Sequence, residues 1–280
     1  MTLTNHTPQD KFVEANGLRI HYLDWAGDRG RTVVLIHGLM GIAHDWDEVA
    51  SQLSRDHRVL CIELRGHGDS QWSTDGYWPH LLAADIHTFV SVLKIAPFAL
   101  VGHSLGVWAA ISYASDHWPD LSHLVLADFA PEIGQEQAQA IRSGTTDRPL
   151  GFRNKEEFVR WFQEAYPTRP LSLAQRRATY GLRRNWADKL VWKYDPEVAW
   201  ITGSAGLKVR PYLWEQCAKI RCSTLVIRGS KSLTLTPEIR DRMLAVLPNG
   251  RASELEGAGH YVYEDNPSGF VRLLRDFLAT

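Results

Sequence analysis

Apolar residues along this chain keep an α/β rhythm that breaks near residue 131 and resumes near residue 216. Leu18-Arg19-Ile20-His21-Tyr22 alternates apolar with polar residues, the pattern of an edge strand wetted on one side. Residues 32–36 and 58–64 are continuous apolar runs, suited to strands buried on both faces. Leu81, Leu82, Ile86, Phe89, Val92 and Leu93 recur at helical spacing within 78–95. A strand at 98–101, a helix at 107–114 and a strand at 124–127 continue the alternation. This order predicts an α/β fold with a mostly parallel central sheet flanked by helices.

From 131 to 215 the pattern reads as helices without strands, with Phe158, Trp161, Phe162, Tyr166 and Leu173 at helical spacing. The sheet pattern returns at 224–227, followed by a helix at 237–247, a short strand at 252–255 and a closing helix from 267. The expected organisation is one core built from 1–131 and 216–280, interrupted by an all-helical insertion at 132–215.

Composition narrows the classes. A net charge of −1 gives no electrostatic footprint for nucleic acid or an anionic membrane. The polar N-terminus shows no secretory signal, and no apolar run is long enough to span a bilayer. Cys61, Cys217 and Cys222 make an odd count without a C-x-x-C, which reads as buried free thiols in a reducing compartment. The expectation is a soluble cytoplasmic protein.

The chemistry concentrates at Gly102-His103-Ser104-Leu105-Gly106, between a strand pattern and a helix pattern. A serine at the apex of such a turn is held in a strained backbone that lifts its hydroxyl clear of the sheet. A side chain at 102 or 106 would collide with the neighbouring strand or helix. Serine needs a base to attack, and His260, after Glu256-Gly257-Ala258-Gly259, is the candidate. The plainer readings are a structural serine in a tight turn and a surface-loop histidine. The N–H of Leu105, at the helix start, would face charge developing on a carbonyl oxygen.

With His37-Gly38-Leu39-Met40-Gly41 after one strand, Arg65-Gly66-His67-Gly68-Asp69-Ser70 after the next, the serine turn and Gly259-His260, the chain resembles the α/β-hydrolase family over nearly its whole length. The resemblance implies that His260 is the catalytic histidine, that the Leu39 N–H is a second oxyanion donor, and that the helical insertion after the sixth strand is a cap over the active site. It implies that His37 braces the oxyanion turn and that His67 belongs to a family turn.

The sequence departs from the family at the acid. Most members carry an Asp about three residues past a glycine after the strand that follows the cap. Here that position is Ser232, and no acid follows before Glu238. Either the enzyme is crippled or the acid comes from elsewhere. Asp128 ends the preceding strand, and neighbouring strand ends lie about 4.8 Å apart, within reach of the same histidine. Some members take their acid from this position; the rival reading makes Asp128 a cap-hinge residue. The favoured triad is Ser104, His260 and Asp128.

Candidate substrate contacts are His103, His44, Trp161, Trp186 and Tyr261. Arg142, Arg148, Arg153, Arg160, Arg169, Arg176, Arg177, Arg183 and Arg184 make the insertion basic, either paired with Glu156, Glu157, Glu164 and Asp188 on solvated helix faces or, in part, lining a pocket. The expected activity is a serine hydrolase cleaving a small-molecule ester, lactone or amide. No cofactor, metal, nucleic acid or membrane is expected, and a homodimer is compatible with the sequence. The chain also resembles the acylaminomethylene-succinate hydrolase branch, which would suit a basic cap. Serine at the elbow argues against alkyl-enzyme chemistry. The alternatives are a cofactor-independent dioxygenase of an N-heteroaromatic ring, which shares the fold and the acid position, and a catalytically silent scaffold.

Overall fold

The computed structural model describes residues 7–27, 30–132, 138–139, 141, 143–144, 147–202 and 208–280, without the side chains of 200–202 and 210. Arg142 and the Trp200 ring lie outside the described residues. The strands are β1 (Gln9–Ala15), β2 (Leu18–Trp25), β3 (Thr32–Ile36), β4 (Arg58–Ile62), β5 (Phe98–His103), β6 (Leu121–Ala127), β7 (Leu182–Arg184), β8 (Leu190–Trp192), β9 (Ser223–Gly229) and β10 (Gly250–Leu255). The helices used below are α1 (Asp47–Leu53), α2 (Pro79–Leu93), α3 (Leu105–His117), α4 (Lys155–Ala165), α5 (Leu171–Tyr180), α6 (Arg210–Cys217), α7 (Pro237–Val246), α8 (Val262–Asp265) and α9 (Pro267–Leu278).

Eight strands form one sheet in the order β1-β2-β4-β3-β5-β6-β9-β10. All neighbours from β4 to β10 pair in parallel, while β1, β2 and β4 pair antiparallel. The inner strands are apolar on both sides because both sides are covered. Val34, Ile36, Leu100 and Leu126 face one core with α2, α3, α6 and α7. Val33, Leu35, Val101 and Val125 face the other, with α1 and α9.

Local chemistry fixes the helix ends. Pro79 opens α2, and Lys94 closes it in the left-handed region. The Asn154, Thr236 and Asn266 side chains accept the amides of Glu157, Ile239 and Gly269 at the starts of α4, α7 and α9. α9 buries Phe270, Val271, Leu274, Phe277 and Leu278 along one stripe.

Two expectations are corrected. β2 is not an edge strand, because β1 covers it. Two of its polar residues are buried and paired, His21 with Glu63 at 2.8 Å and Asp24 with Lys11 at 2.7 Å and Arg58 at 2.8 Å, while Arg19 is exposed. In this alternating stretch only Arg19 meets water, while His21 is buried. The segment between β6 and β9 is not all helical either. It holds the β7–β8 hairpin, extended by a bridge from Phe152 to Leu190. Three-residue strands are too short to show a period of two. This segment has its own apolar cluster around Phe152, Phe158, Phe162 and Leu173, whereas α6 contributes Leu213 and Cys217 to the sheet core. The three cysteines are free and buried.

The sheet brings β5 and α3 together so tightly that glycine is required at their junction. A Cβ on Gly102 would stand 2.3 Å from the Gly106 carbonyl oxygen, and one on Gly106 would stand 2.7 Å from that of Ile36. Both obstacles are backbone and cannot rotate away. Gly102→Ala is expected to destabilise the fold by about 3 kcal/mol. Urea unfolding followed by circular dichroism checks this, and an unchanged midpoint would contradict the packing argument.

Candidate active site

Three loops meet at the C-terminal ends of β5, β6 and β10, where parallel strands leave a crevice. Ser104 caps α3 with φ 52° and ψ −118°, a left-handed-side conformation held by its surroundings. Its amide donates to the Ala127 carbonyl at 3.4 Å, and Val107 N–H donates to its own carbonyl at 2.8 Å. The next strand end carries Asp128, also with positive φ (51°) and fully buried. Asp128 N–H donates to Ile227 O at 2.8 Å, which stitches that turn to β9.

His260 arrives from the loop after β10. That loop crosses directly over Gly229, where a Cβ would stand 2.2 Å from the Gly259 carbonyl oxygen. Lys231 N–H donates to Ala258 O at 2.9 Å and fixes the crossing. His260 Nδ1 then donates to Asp128 Oδ2 at 3.0 Å. The carboxylate also accepts Gly229 N–H on Oδ1 at 2.9 Å and the Ser232 hydroxyl on Oδ2 at 2.5 Å. Three donors make a buried carboxylate tenable as an anion. The sequence did not reveal the Ser232 contact. Its only signal was a hydroxyl where the family places an acid.

The turn after β3 lies beside the serine: a Cβ on Gly38 would meet Ser104 Cβ at 2.9 Å. His37 shapes this turn. Leu64 N–H donates to its Nε2 at 3.1 Å, so Nδ1 carries the proton and donates to Gly38 O at 2.7 Å. Gly41 N–H closes the turn on Gly38 O at 3.0 Å, with Met40 at φ 57°. Leu39 and Leu105 thus sit on the two turns that flank Ser104. His67 packs against His37 with ring centroids 5.0 Å apart.

The sequence profile of the alpha/beta hydrolase family matches residues 33–273. The chain belongs to this family. An esterase of Mycobacterium tuberculosis is 31% identical over 98% of this chain and 90% of its own length. The N-formylmaleamate deformylase of Pseudomonas putida is 25% identical over 95% of each chain. The crystal structure of E-2-(acetamidomethylene)succinate hydrolase superposes with a TM-score of 0.89 at 21% identity, covering 98% of this chain and 100% of that one, a likeness of fold.

Within this alpha/beta hydrolase the expected substrate contacts fall in different places. His103 is 1% exposed and donates from Nε2 to the His260 carbonyl at 2.9 Å. It braces the histidine loop and offers no open face, because its ring is enclosed by His260, Tyr261 and Tyr263. His44 is also buried; it pairs with Asp47 at 3.0 Å and stacks on Tyr180 of α5 at 3.5 Å. Trp186 is 98% exposed, standing in solvent on the turn of the β7–β8 hairpin. Trp161 packs into the aromatic cluster of the intervening segment with Phe152, Phe158 and Trp192. Tyr261 stays beside His260, with ring centroids 5.1 Å apart and the Arg169 guanidinium 3.6 Å over its ring.

The arginines fall into three groups. Arg153 and Arg184 pair locally with Glu157 and Asp188, as solvated helix and turn charges do. Arg169, Arg176 and Arg177 instead reach acids outside the segment. Arg177 bonds Asp45 at 3.0 Å and Glu264 at 3.1 Å, Arg169 bonds Glu264, and Arg176 bonds Glu48 at 2.8 Å. Burial opposes the Arg177 charge, but Asp45 and Glu264 outweigh it and push its pKa up. A third pair faces a pocket of about 440 Å³ bounded by Met40, Trp72, Trp192 and Tyr194. There Arg148 lies over Trp192 and Arg183 over Trp72, and neither has a carboxylate partner among the described residues.

Two buried histidines behind the turn that follows β3 make the fold acid-sensitive. Burial pushes the pKa of His37 down, and that of His67 down to about 3. Their folded values lie below the unfolded value, so the unfolded chain binds the extra protons. Stability is present above about pH 6.5 and falls as pH drops. Between pH 6.5 and 5 each should contribute a slope of up to about 1.4 kcal/mol per pH unit. His67→Gln should reduce that slope by about one proton in urea titrations at several pH values; an unchanged slope would contradict it.

Proposed function

We propose that this chain is a serine hydrolase that cleaves a small-molecule ester, lactone or amide through an acyl-enzyme, with Ser104 as nucleophile, His260 as base and Asp128 as acid. The hydrogen bond from His260 Nδ1 to the buried Asp128 carboxylate carries this reading, since it leaves Nε2 as the nitrogen free to take a proton. Ser104 Oγ attacks the carbonyl as His260 Nε2 takes its proton. The amides of Leu39 and Leu105 would hold the oxyanion. His260 then returns the proton to the leaving group, and water reverses the sequence to free the acid and regenerate Ser104. Asp128 holds the imidazole in one tautomer and stabilises its positive charge.

In the same reading the segment 132–215 works as a cap. Its ion pairs to Asp45, Glu48 and Glu264 tie it to the core beside the histidine loop. The guanidiniums of Arg148 and Arg183, which have no carboxylate partner among the described residues, on an aromatic-walled pocket that reaches Met40 next to the oxyanion turn, favour substrates bearing a carboxylate. Relatives named N-formylmaleamate deformylase and 2-(acetamidomethylene)succinate hydrolase are named for carboxylated amides, which fits this chemistry.

A fluorophosphonate probe with mapping of the labelled residue tests the reading. It is expected to modify Ser104, and Ser104→Ala is expected to lose label and about 10⁴-fold or more in kcat without unfolding. Turnover with oxygen consumption in Ser104→Ala would overturn it in favour of a dioxygenase. Asp128→Asn should lose about 10³- to 10⁴-fold in kcat, while Glu132→Gln and Glu238→Gln should stay near native. Near-native kcat in Asp128→Asn would mean the acid lies elsewhere. Arg183→Ala and Arg148→Ala should each raise KM for a carboxylated ester about tenfold, and change it little for the neutral analogue. Equal effects on both substrates would remove the carboxylate from the reading.

A further inference from the structure

Ser232 stands where most of the family places its acid, and the structure gives it more than a filler's contacts. Its Oγ accepts the amides of Thr234 at 3.1 Å and Leu235 at 3.3 Å. With its acceptor sites so occupied, the hydroxyl proton has one direction left, toward Asp128 Oδ2 at 2.5 Å. That length belongs to a charge-assisted O–H···O⁻ bond. The turn presenting Ser232 is itself clamped. The Arg228 guanidinium donates to Leu235 O at 2.8 Å and Ser232 O at 3.3 Å, and it pairs with Glu254.

The Asp128 carboxylate is thereby held at both ends. Gly229 N–H pins Oδ1, and Ser232 pins the same Oδ2 that receives His260 Nδ1. Without the Ser232 bond one end of the carboxylate would depend on the histidine alone, the group it is meant to orient.

We propose that Ser232 is a positioning residue for catalysis, fixing the Asp128 carboxylate toward His260, and that position 232 keeps the geometry of an acid site. This rests on the serine-hydrolase reading above. The second half follows from the turn. An aspartate at 232 could accept the Thr234 and Leu235 amides with one oxygen, as the serine does, and turn the other toward His260. An asparagine at 128 would then donate its amide to that carboxylate where the native aspartate accepts.

The experiment uses four variants of the full chain, with kcat and KM on one ester, thermal midpoints, and the rate of fluorophosphonate labelling at Ser104. Ser232→Ala should lower kcat and the labelling rate about 10- to 100-fold, the size of a lost hydrogen bond to a charged group, with KM within about twofold. Ser232→Thr, which keeps the hydroxyl, should recover most of that loss. Asp128→Asn should be nearly inactive, and Asp128→Asn with Ser232→Asp should regain at least tenfold over it. A purely structural serine would not predict this relocation of the acid. Native kcat in Ser232→Ala, or a loss that Ser232→Thr does not recover while its thermal midpoint stays native, would overturn the positioning role. A double variant that folds yet is no faster than Asp128→Asn would overturn the acid-site half. Failure of the native protein to label at Ser104 would instead bring down the hydrolase reading itself, so the two failures are distinguishable.

Discussion

A fully buried carboxylate must be surrounded by donors, and at Asp128 those donors come from three parts of the chain. Gly229 ends β9, Ser232 lies in the following turn, and His260 lies in the loop after β10. Asp128 itself takes a positive φ at the end of β6. The bonds can form together only if β6, β9 and β10 are adjacent and in register, as the sheet order makes them. The requirement to satisfy one buried charge therefore couples sheet assembly to the proposed chemistry. It also accounts for Gly229, whose missing side chain lets the histidine loop pass within contact of the strand end.

A second electrostatic constraint holds the segment between β6 and β9 against this centre. Arg177 is shared by Asp45, next to the turn that follows β3, and Glu264, four residues beyond His260. Arg169 shares Glu264 and covers Tyr261. Buried ion pairs often contribute little net stability, but removing one partner strands the other charges, so such a network specifies position strongly. Arg169, Arg176 and Arg177 thus dock this segment to acidic partners outside it. Arg148 and Arg183 instead stack on tryptophans at the pocket.

Much of the fold was legible because it rests on local patterns. Continuous apolar runs marked β3, β4 and β5, a 3.6-residue period marked α2, and glycines around Ser104 marked the elbow. Where local pattern and tertiary setting diverged, the reading failed. His21 looked solvent-facing and is buried, because Glu63, just past the end of β4, pairs with it. The β7–β8 hairpin was hidden because strands of three residues carry no periodicity. Trp186 and His44 were candidates by residue type alone; one stands in solvent, and the other is taken up by Asp47 and Tyr180.

The sequence by itself determined the α/β architecture, the serine elbow, the candidate histidine and the absence of an acid near position 232, since each is written in residue type and short-range spacing. With Ser232 at the position where the resemblance places the acid, it favoured Asp128 over a cap-hinge reading as the expected acid. Only the tertiary structure decided which groups share that carboxylate, which arginines are consumed by distant acids and which remain at the pocket. Those contacts join residues about a hundred positions apart, such as Asp128 with Ser232 and Arg177 with Asp45, and hydrogen-bond satisfaction at that range is a property of the assembled sheet and not of any local segment.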